Sequence, residues 1–279
     1  MSASPYTFDA QDADVILRAP LRPGSDEFKD FHVHRVILSI ASTFFHDMFS
    51  LPQPPSHPAE DSKGLDIVPI SESANILEAF LRFIYPVDPP AIEDLRLLDD
   101  LLQFTDKYMA QIVTAKLRKL LVLSSFLEDD PVWVYAIARR ANLNEEAKLA
   151  ITHTFNIDPV QDIPRTHLQI MTAETYNSLL VSHAARRAML MYALKQAKFP
   201  SLAQNMCDCS NWFYTRIHKD IALAIWKSPF LDRQRLDSCL SDFGNMPKSM
   251  CGLGSSCRVS PQTISKHFTS ILEEVAKLG

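Results

Sequence analysis

Residues 31–38 read Phe31-His32-Val33-His34-Arg35-Val36-Ile37-Leu38, and residues 42–49 read Ser42-Thr43-Phe44-Phe45-His46-Asp47-Met48-Phe49. The hydrophobic period changes inside this stretch. Phe31 and Val33 alternate with His32 and His34, the pattern of a strand with one buried face. From Val36 the repeat becomes helical. Ile37, Ile40 and Ala41 fall on one stripe, then Phe44 with Met48 and Phe45 with Phe49 are neighbours four apart. A strand is therefore expected to run straight into a helical hairpin.

Upstream, Val15, Ile16 and Leu17 form a short apolar run closed by Pro20, Pro23 and Gly24, which reads as a buried strand followed by a surface turn. Downstream, Pro52, Pro54, Pro55 and Pro58 mark residues 51–64 as an exposed loop, since none fits inside a helix or a central strand. Residues 65–70 give a third strand. Ser71 and Ser73 are placed to cap a helix carrying Ile76, Leu77, Phe80, Leu81 and Ile84, which Pro86, Pro89 and Pro90 end.

Beyond Ala91 the reading is helical throughout. Leu97, Leu98, Leu101, Leu102 and Tyr108 form one stripe, and Ile112, Val113, Leu117, Leu120 and Leu121 the next. Asp130-Pro131 suits a helix start ahead of Trp133, Val134, Ile137 and Ala138, with a partner helix through Ala147, Ala150, Ile151 and Phe155 after a turn at 142–144. A long helix carries Tyr176, Leu179, Leu180, His183, Arg187, Leu190 and Leu194. A last one opens at Ser260-Pro261 and packs Ile264, Phe268, Ile271, Leu272 and Val275.

Composition limits the function. The chain has 279 residues, 47% hydrophobic and 22% charged, enough apolar material for one large or two ordinary domains. The longest apolar runs, 132–138 and 188–194, fall far short of the roughly 18 residues of a membrane span. Residues 1–11 lack a basic start followed by an apolar stretch, so a soluble protein of the cytosol or nucleus is expected. The net charge of −5, with basic residues scattered, leaves no footprint for nucleic acid. Six glycines leave few phosphate-cradling loops. Cys251-Gly252-Leu253-Gly254 lacks the third glycine of a dinucleotide site and reads as a turn. Five cysteines are an odd number, which argues for reduced thiols or a metal site over a disulfide framework.

The order strand, strand, helical hairpin, strand, helix, two more helices resembles the BTB/POZ domain. Asp14-Val15-Ile16 looks like the opening Asp-Val strand of that family. Phe31 to Leu38 resembles its Phe-x-Ala-His-Arg-x-x-Leu motif, with Val33 in place of alanine, and Ser42 to Phe49 its Ser-x-Tyr/Phe-Phe-x-x-Met-Phe continuation. Phe83-Ile84-Tyr85 and Asp100-Leu101-Leu102-Gln103-Phe104-Thr105-Asp106-Lys107-Tyr108 are similar to its third and fourth helices. The family's usual glycine after the tyrosine is replaced by Pro86 and Val87, and the Pro-rich loop is longer than in compact versions. Residues 131–155 resemble the first helical pairs of a BACK-type extension, through Ile137-Ala138, Asn142-Leu143 and Glu145-Glu146-Ala147-Lys148. The whole arrangement is similar to BTB proteins of fungi. The resemblance implies an α+β fold: a small sheet with helical hairpins over residues 14–123, an N-terminal tail over 1–13, a BACK-like region over 124–200 and a C-terminal helical region over 201–279.

It also implies function: a protein-interaction module acting as substrate adaptor for a cullin-type ubiquitin ligase, or an oligomerisation or transcription-associated scaffold without a ligase role. A homodimer is among the expected assemblies. Strand-exchanging dimers of the family carry a longer arm than the residues preceding Asp14 here. Families that dock cullins tend to carry a hydrophobic-x-Glu element ahead of the fourth helix, which places Leu97-Leu98-Asp99 at that spot. Leu97 and Asp99 are thus the candidate cullin contact, against the bland reading that Leu97 continues the core stripe.

No Gly-x-Ser-x-Gly elbow, His-Glu-x-x-His helix or phosphate loop is present, so no enzyme is expected. Asp14 and His34 invite an acid–base reading, but the resemblance puts both on the interior face. A structural pair satisfying each other's hydrogen bonds is the stronger expectation there. His32 and His34, two apart on a strand, have no third metal ligand near in sequence. Cys207, Cys209, Cys251 and Cys257, with His218 nearby, are candidate zinc ligands, which would make the protein a zinc-stapled regulator. Their one-residue and five-residue spacers miss the common pattern, and the competing reading is reduced thiols with no cofactor. Phe44, Phe45, Phe49, Trp133 and Tyr135 could be binding anchors, but at helical spacing most are expected in the core.

Overall fold

The computed structural model describes residues 7–51, 65–196, 219 and 221–223. The four candidate zinc cysteines, His218, most of the Pro-rich loop and the expected last helix lie outside the described residues. Among those described, no helix is long and apolar enough to cross a membrane. The chain divides into two compact units, Met1–Ala150 and Ile151–Gly279.

The first unit is built on three strands, β1 (Val15–Pro20), β2 (Phe28–Val33) and β3 (Asp66–Pro69), in the order β2-β1-β3. β1 is central and nearly all buried, which is why it opens on the apolar run Val15-Ile16-Leu17 and not on an alternation. β2 pairs antiparallel with it, Val15 opposite Val33, and β3 runs parallel on its other side, Val15 opposite Asp66. The β1–β2 connection is a type II turn. Ser25 N–H donates to the Arg22 carbonyl at 3.0 Å, and Gly24, after Pro23, takes a φ of +76° that other residues resist.

The expected hairpin follows as α1 (Arg35–Ala41) and α2 (Thr43–Ser50), broken only at Ser42. Ser42 is extended, its hydroxyl accepts from the Phe45 N–H at 3.2 Å, and it donates to the Tyr108 carbonyl. α1 differs from the expected stripe. Its buried residues are Leu38 and Ala41, whereas Ile40 is exposed.

α3 (Ala74–Ile84), α4 (Leu95–Lys107) and α5 (Gln111–Leu121) enclose the core. Ser73 stands at the start of α3 without a side-chain cap. Ser71 instead accepts from the Lys107 Nζ at 2.6 Å. Phe45, Phe80, Phe104 and Tyr108 form the aromatic centre, with Phe104 and Tyr108 rings 4.4 Å apart and Phe45 stacked on Tyr108 at 5.4 Å.

α6 (Ser124–Asp129) and α7 (Pro131–Arg140) follow, then α8 (Asn144–His153), within which the unit boundary falls. α7 begins as the sequence predicts, with Pro131 in its first turn and Asp130 accepting from the Trp133 N–H at 3.0 Å. Arg140 of α7 pairs with the buried Asp99 of α4. Arg118 of α5 grips Glu146 of α8 with two bonds, 2.7 and 3.2 Å. The second unit, as far as it is described, holds a 3-10 turn (Thr154–Asn156), α9 (Arg165–Ile170) and α10 (Ala173–Gln196).

These bridges make α7 and the start of α8 part of the first unit's stability, beyond the 123/124 boundary read from the sequence. A fragment of residues 1–153 is expected to melt above one of residues 1–125. Arg140→Ala in the longer fragment should cost about 1–2 kcal/mol, after allowing for the partial solvent screening of Arg140. Equal melting temperatures by circular dichroism would show that the bridges contribute nothing.

Candidate functional site

The expected Asp14–His34 pair does not form. Asp14 is exposed, and its Oδ1 accepts from the Arg35 backbone N–H at 2.7 Å, at the first turn of α1. Arg35 also pairs with Asp66 of β3, so Asp14 and Arg35 tie the helix start to both β1 and β3. The correction has a simple cause. Asp14 lies just before β1, where its carboxylate reaches the first backbone N–H of α1 and not the interior.

His34 is half-buried and takes other partners. Its Nε2 lies 3.3 Å from Asp12 Oδ1, and its Nδ1 lies 3.1 Å from the Tyr85 hydroxyl, which also accepts from the His34 backbone N–H at 2.9 Å. The Tyr85 hydroxyl thus bridges the backbone and the ring of His34. The network ties the β2–α1 corner to Asp12 and to Tyr85 at the end of α3.

Leu97 and Asp99 do not stand ahead of a helix. Both lie inside α4, which Asp94 caps by accepting from the Arg96 N–H at 2.8 Å. Leu97 is half-buried, while Asp99 is 7% exposed and engaged by Arg140. The aspartate carboxylate is thus turned inward to another helix of its own unit. Burial and the neighbouring Asp99 charge push the Asp100 carboxyl above its ordinary range.

A surface that sequence reasoning missed lies on the helical hairpin. Val36 and Ile40, one turn apart on α1, are 62% and 71% exposed. Phe44, Met109 and Ile112 are exposed as well. Thr43 donates to the Met109 carbonyl at 3.4 Å and the Phe44 ring lies 5.2 Å from Tyr108, so the α1–α2 corner meets the α4–α5 turn. Met109 carries a further signal. It closes α4 with a φ of +50°, the Ala110 N–H returning to the Thr105 carbonyl at 2.8 Å. The same motif after α7 uses Asn142 at φ +57°, a residue that tolerates this conformation. Met109 is thus a large apolar side chain that is both strained and exposed. The exposed residues sit at helical spacing beside buried ones, so periodicity alone assigned Ile40 and Ile112 to the core.

In the second unit His183 is buried on α10, its Nε2 2.9 Å from Thr154 Oγ1. The Thr154 hydroxyl donates to the Ile151 carbonyl at 2.7 Å, so His183 must donate from Nε2, which leaves Nδ1 unprotonated and without a hydrogen-bond partner. Burial, reinforced by the charge of Arg187, pushes the imidazole down to about 4.

Residues 13–125 match the family model of the BTB/POZ domain, so the chain contains one. No curated protein matches the chain.

Two outcomes follow from these contacts. Tyr85→Phe removes the partner of both the His34 N–H and Nδ1 and should cost about 1–2 kcal/mol; an unchanged urea midpoint would show that the network carries no stability. His183 is neutral when folded and titrates near 6.5 when unfolded, so its contribution is complete above pH 6.5. That contribution falls as the pH drops from 6.5 towards 4, with a slope of at most about 1.4 kcal/mol per pH unit. His183→Gln should flatten this part of the pH–stability curve.

Proposed function

We propose that this chain is a protein-interaction scaffold whose BTB/POZ domain docks a protein partner through the α1 face and the adjoining α2 and α5 residues, while its helical extension presents a client. The observation that carries this is the exposure of Val36 and Ile40 beside a fully packed aromatic centre. Apolar residues free of any core role and grouped on one helix side favour a contact with another chain. BTB/POZ domains are interaction modules, and self-association through α1 is the assembly this row of side chains fits best.

Docking of a cullin-type ubiquitin-ligase scaffold is the second reading. It is favoured by the half-exposed Leu97 and by the strained, exposed Met109. The burial of Asp99 against Arg140 argues that Leu97, without a carboxylate beside it, would supply the contact on α4. The BACK-like extension over residues 131–155 would then present the client.

Val36→Glu and Ile40→Glu should each turn a self-associated protein monomeric in sedimentation, with stability shifted by no more than about 0.5 kcal/mol because both positions are exposed. A wild type that is monomeric at micromolar concentration would remove the self-association reading. Leu97→Glu and Met109→Gly test the second reading in a pull-down with a purified cullin. Met109→Gly should leave stability unchanged or raised, because glycine relieves the positive φ, while weakening capture. Capture unaffected by both changes, or no capture by the wild type, would overturn it.

A further inference from the structure

β2 is an edge strand, since the sheet order leaves it bonded to β1 on one side only. Its other side is covered in part by residues 7–13 of the same chain. The His32 N–H points outward and donates to the Phe8 carbonyl at 2.8 Å, and Asp9 forms a parallel bridge with His32. The Phe8 ring is buried between two aromatic rings, 5.3 Å from Tyr85 in an edge-on contact and 6.0 Å from Phe31. Asp12 meets His34 beyond it, from a side chain 85% exposed to water.

This is a built receptor with its own occupant in place. It consists of an outward backbone donor, an aromatic hole and a polar flank. The occupant uses little of the edge. Backbone groups two residues apart on a strand point the same way, so with His32 facing out, Asp30 and Phe28 also turn theirs outward. In the parallel register of Asp9 with His32, Thr7 falls opposite Asp30, and a longer strand would reach Phe28. Phe28 is itself exposed. Among the described residues the edge is therefore closed at one end, and no backbone bond covers it along the rest.

We propose that the outer edge of β2 is a docking edge for an extended segment of another protein, running parallel to β2 and placing an aromatic side chain between Phe31 and Tyr85, and that residues 7–13 hold this edge closed in cis. The covering segment is tethered, so it competes at a high effective concentration, while a partner strand gains the additional edge that the segment leaves unused. Covering an edge in this way also guards against promiscuous strand pairing. The inference concerns a different surface from the α1 face and does not rest on self-association there.

The test uses the full chain with Phe8→Asp, which puts a charge where the aromatic hole requires a ring, and a fluorescein-labelled synthetic peptide of residues 5–13. Fluorescence anisotropy should show the peptide binding the variant at least tenfold more tightly than the unaltered chain. A peptide with alanine at the Phe8 position should bind at least tenfold more weakly, and hydrogen exchange should slow at the His32 amide when the first peptide is added. Equal binding of the two peptides, or none by the folded variant at millimolar concentration, overturns the proposal. If Phe8→Asp does not fold, Phe8→Ala replaces it. Failure of both to fold would make Phe8 part of the core and not a removable cover, which also overturns it. A dimer of the unaltered chain that Phe8→Asp abolishes would place the segment on a second copy, again against the proposal.

Discussion

Ser42 fixes the first unit. It is the single residue between α1 and α2, held extended by its own side chain, and its hydroxyl reaches across the fold to the Tyr108 carbonyl at the end of α4. A buried hydroxyl satisfied on both sides sets the angle of the helical hairpin against the α4–α5 turn. Phe45 is thereby delivered onto Tyr108, and Tyr108 onto Phe104. Tyr108 is anchored at its other end as well. Its hydroxyl donates to Glu72 at 2.9 Å, and Lys107 pairs with the same carboxylate at 2.6 Å. Burial alone would raise the Glu72 carboxyl, but these two bonds outweigh it and hold the group below its ordinary range. The exposed side chains of the hairpin depend on this corner, because a rigid junction lets Val36, Ile40 and Phe44 stand in water without collapsing inward.

Charge divides the remaining work. Arg35 with Asp14 and Asp66 ties the start of α1 to the sheet, Arg140 with Asp99 ties α7 to α4, and Arg118 with Glu146 ties α8 to α5. The Arg140–Asp99 bridge decides most for function. A carboxylate that would cap a partner's polar rim is spent on the protein's own helix, and removing Arg140 would leave it buried without its ion-pair partner. On the docking face proposed above, the exposed side chains Val36, Ile40, Phe44, Met109 and Ile112 are apolar, where Leu97 with Asp99 would have made a mixed one.

Much of this is legible in the sequence. The three strands, the switch from period two to helical period at Val36, the Pro23-Gly24 turn and the Asp130-Pro131 helix start all follow from local chemistry, which acts within a few residues. Partners distant in sequence are not. The resemblance puts Asp14 and His34 together on the interior face, yet the side chain of each reaches a different segment, Arg35 in one case and Asp12 with Tyr85 in the other. Ile40 and Ile112 were assigned to the core because periodicity reports which residues share a face and is silent on whether another element covers that face. The resemblance puts Leu97-Leu98-Asp99 ahead of a helix, whereas the helical stripe that includes Leu97 and Leu98 starts at the Asp94 cap, as α7 starts at Asp130.

The two open surfaces of the first unit have opposite chemistry, and that difference bears on how the domain avoids aggregation. An apolar helix face offers contacts that are tolerant in register, so specificity must come from shape and from rigid, strained positions such as Met109. A strand edge offers backbone bonds that any extended chain can make, so it needs occlusion before it needs specificity. Residues 7–13 supply that occlusion with one backbone bond and one buried ring, whereas the α1 face has no cover among the described residues. On the readings proposed above, the surface that any extended chain could pair with is covered, and the apolar helix face is the one displayed.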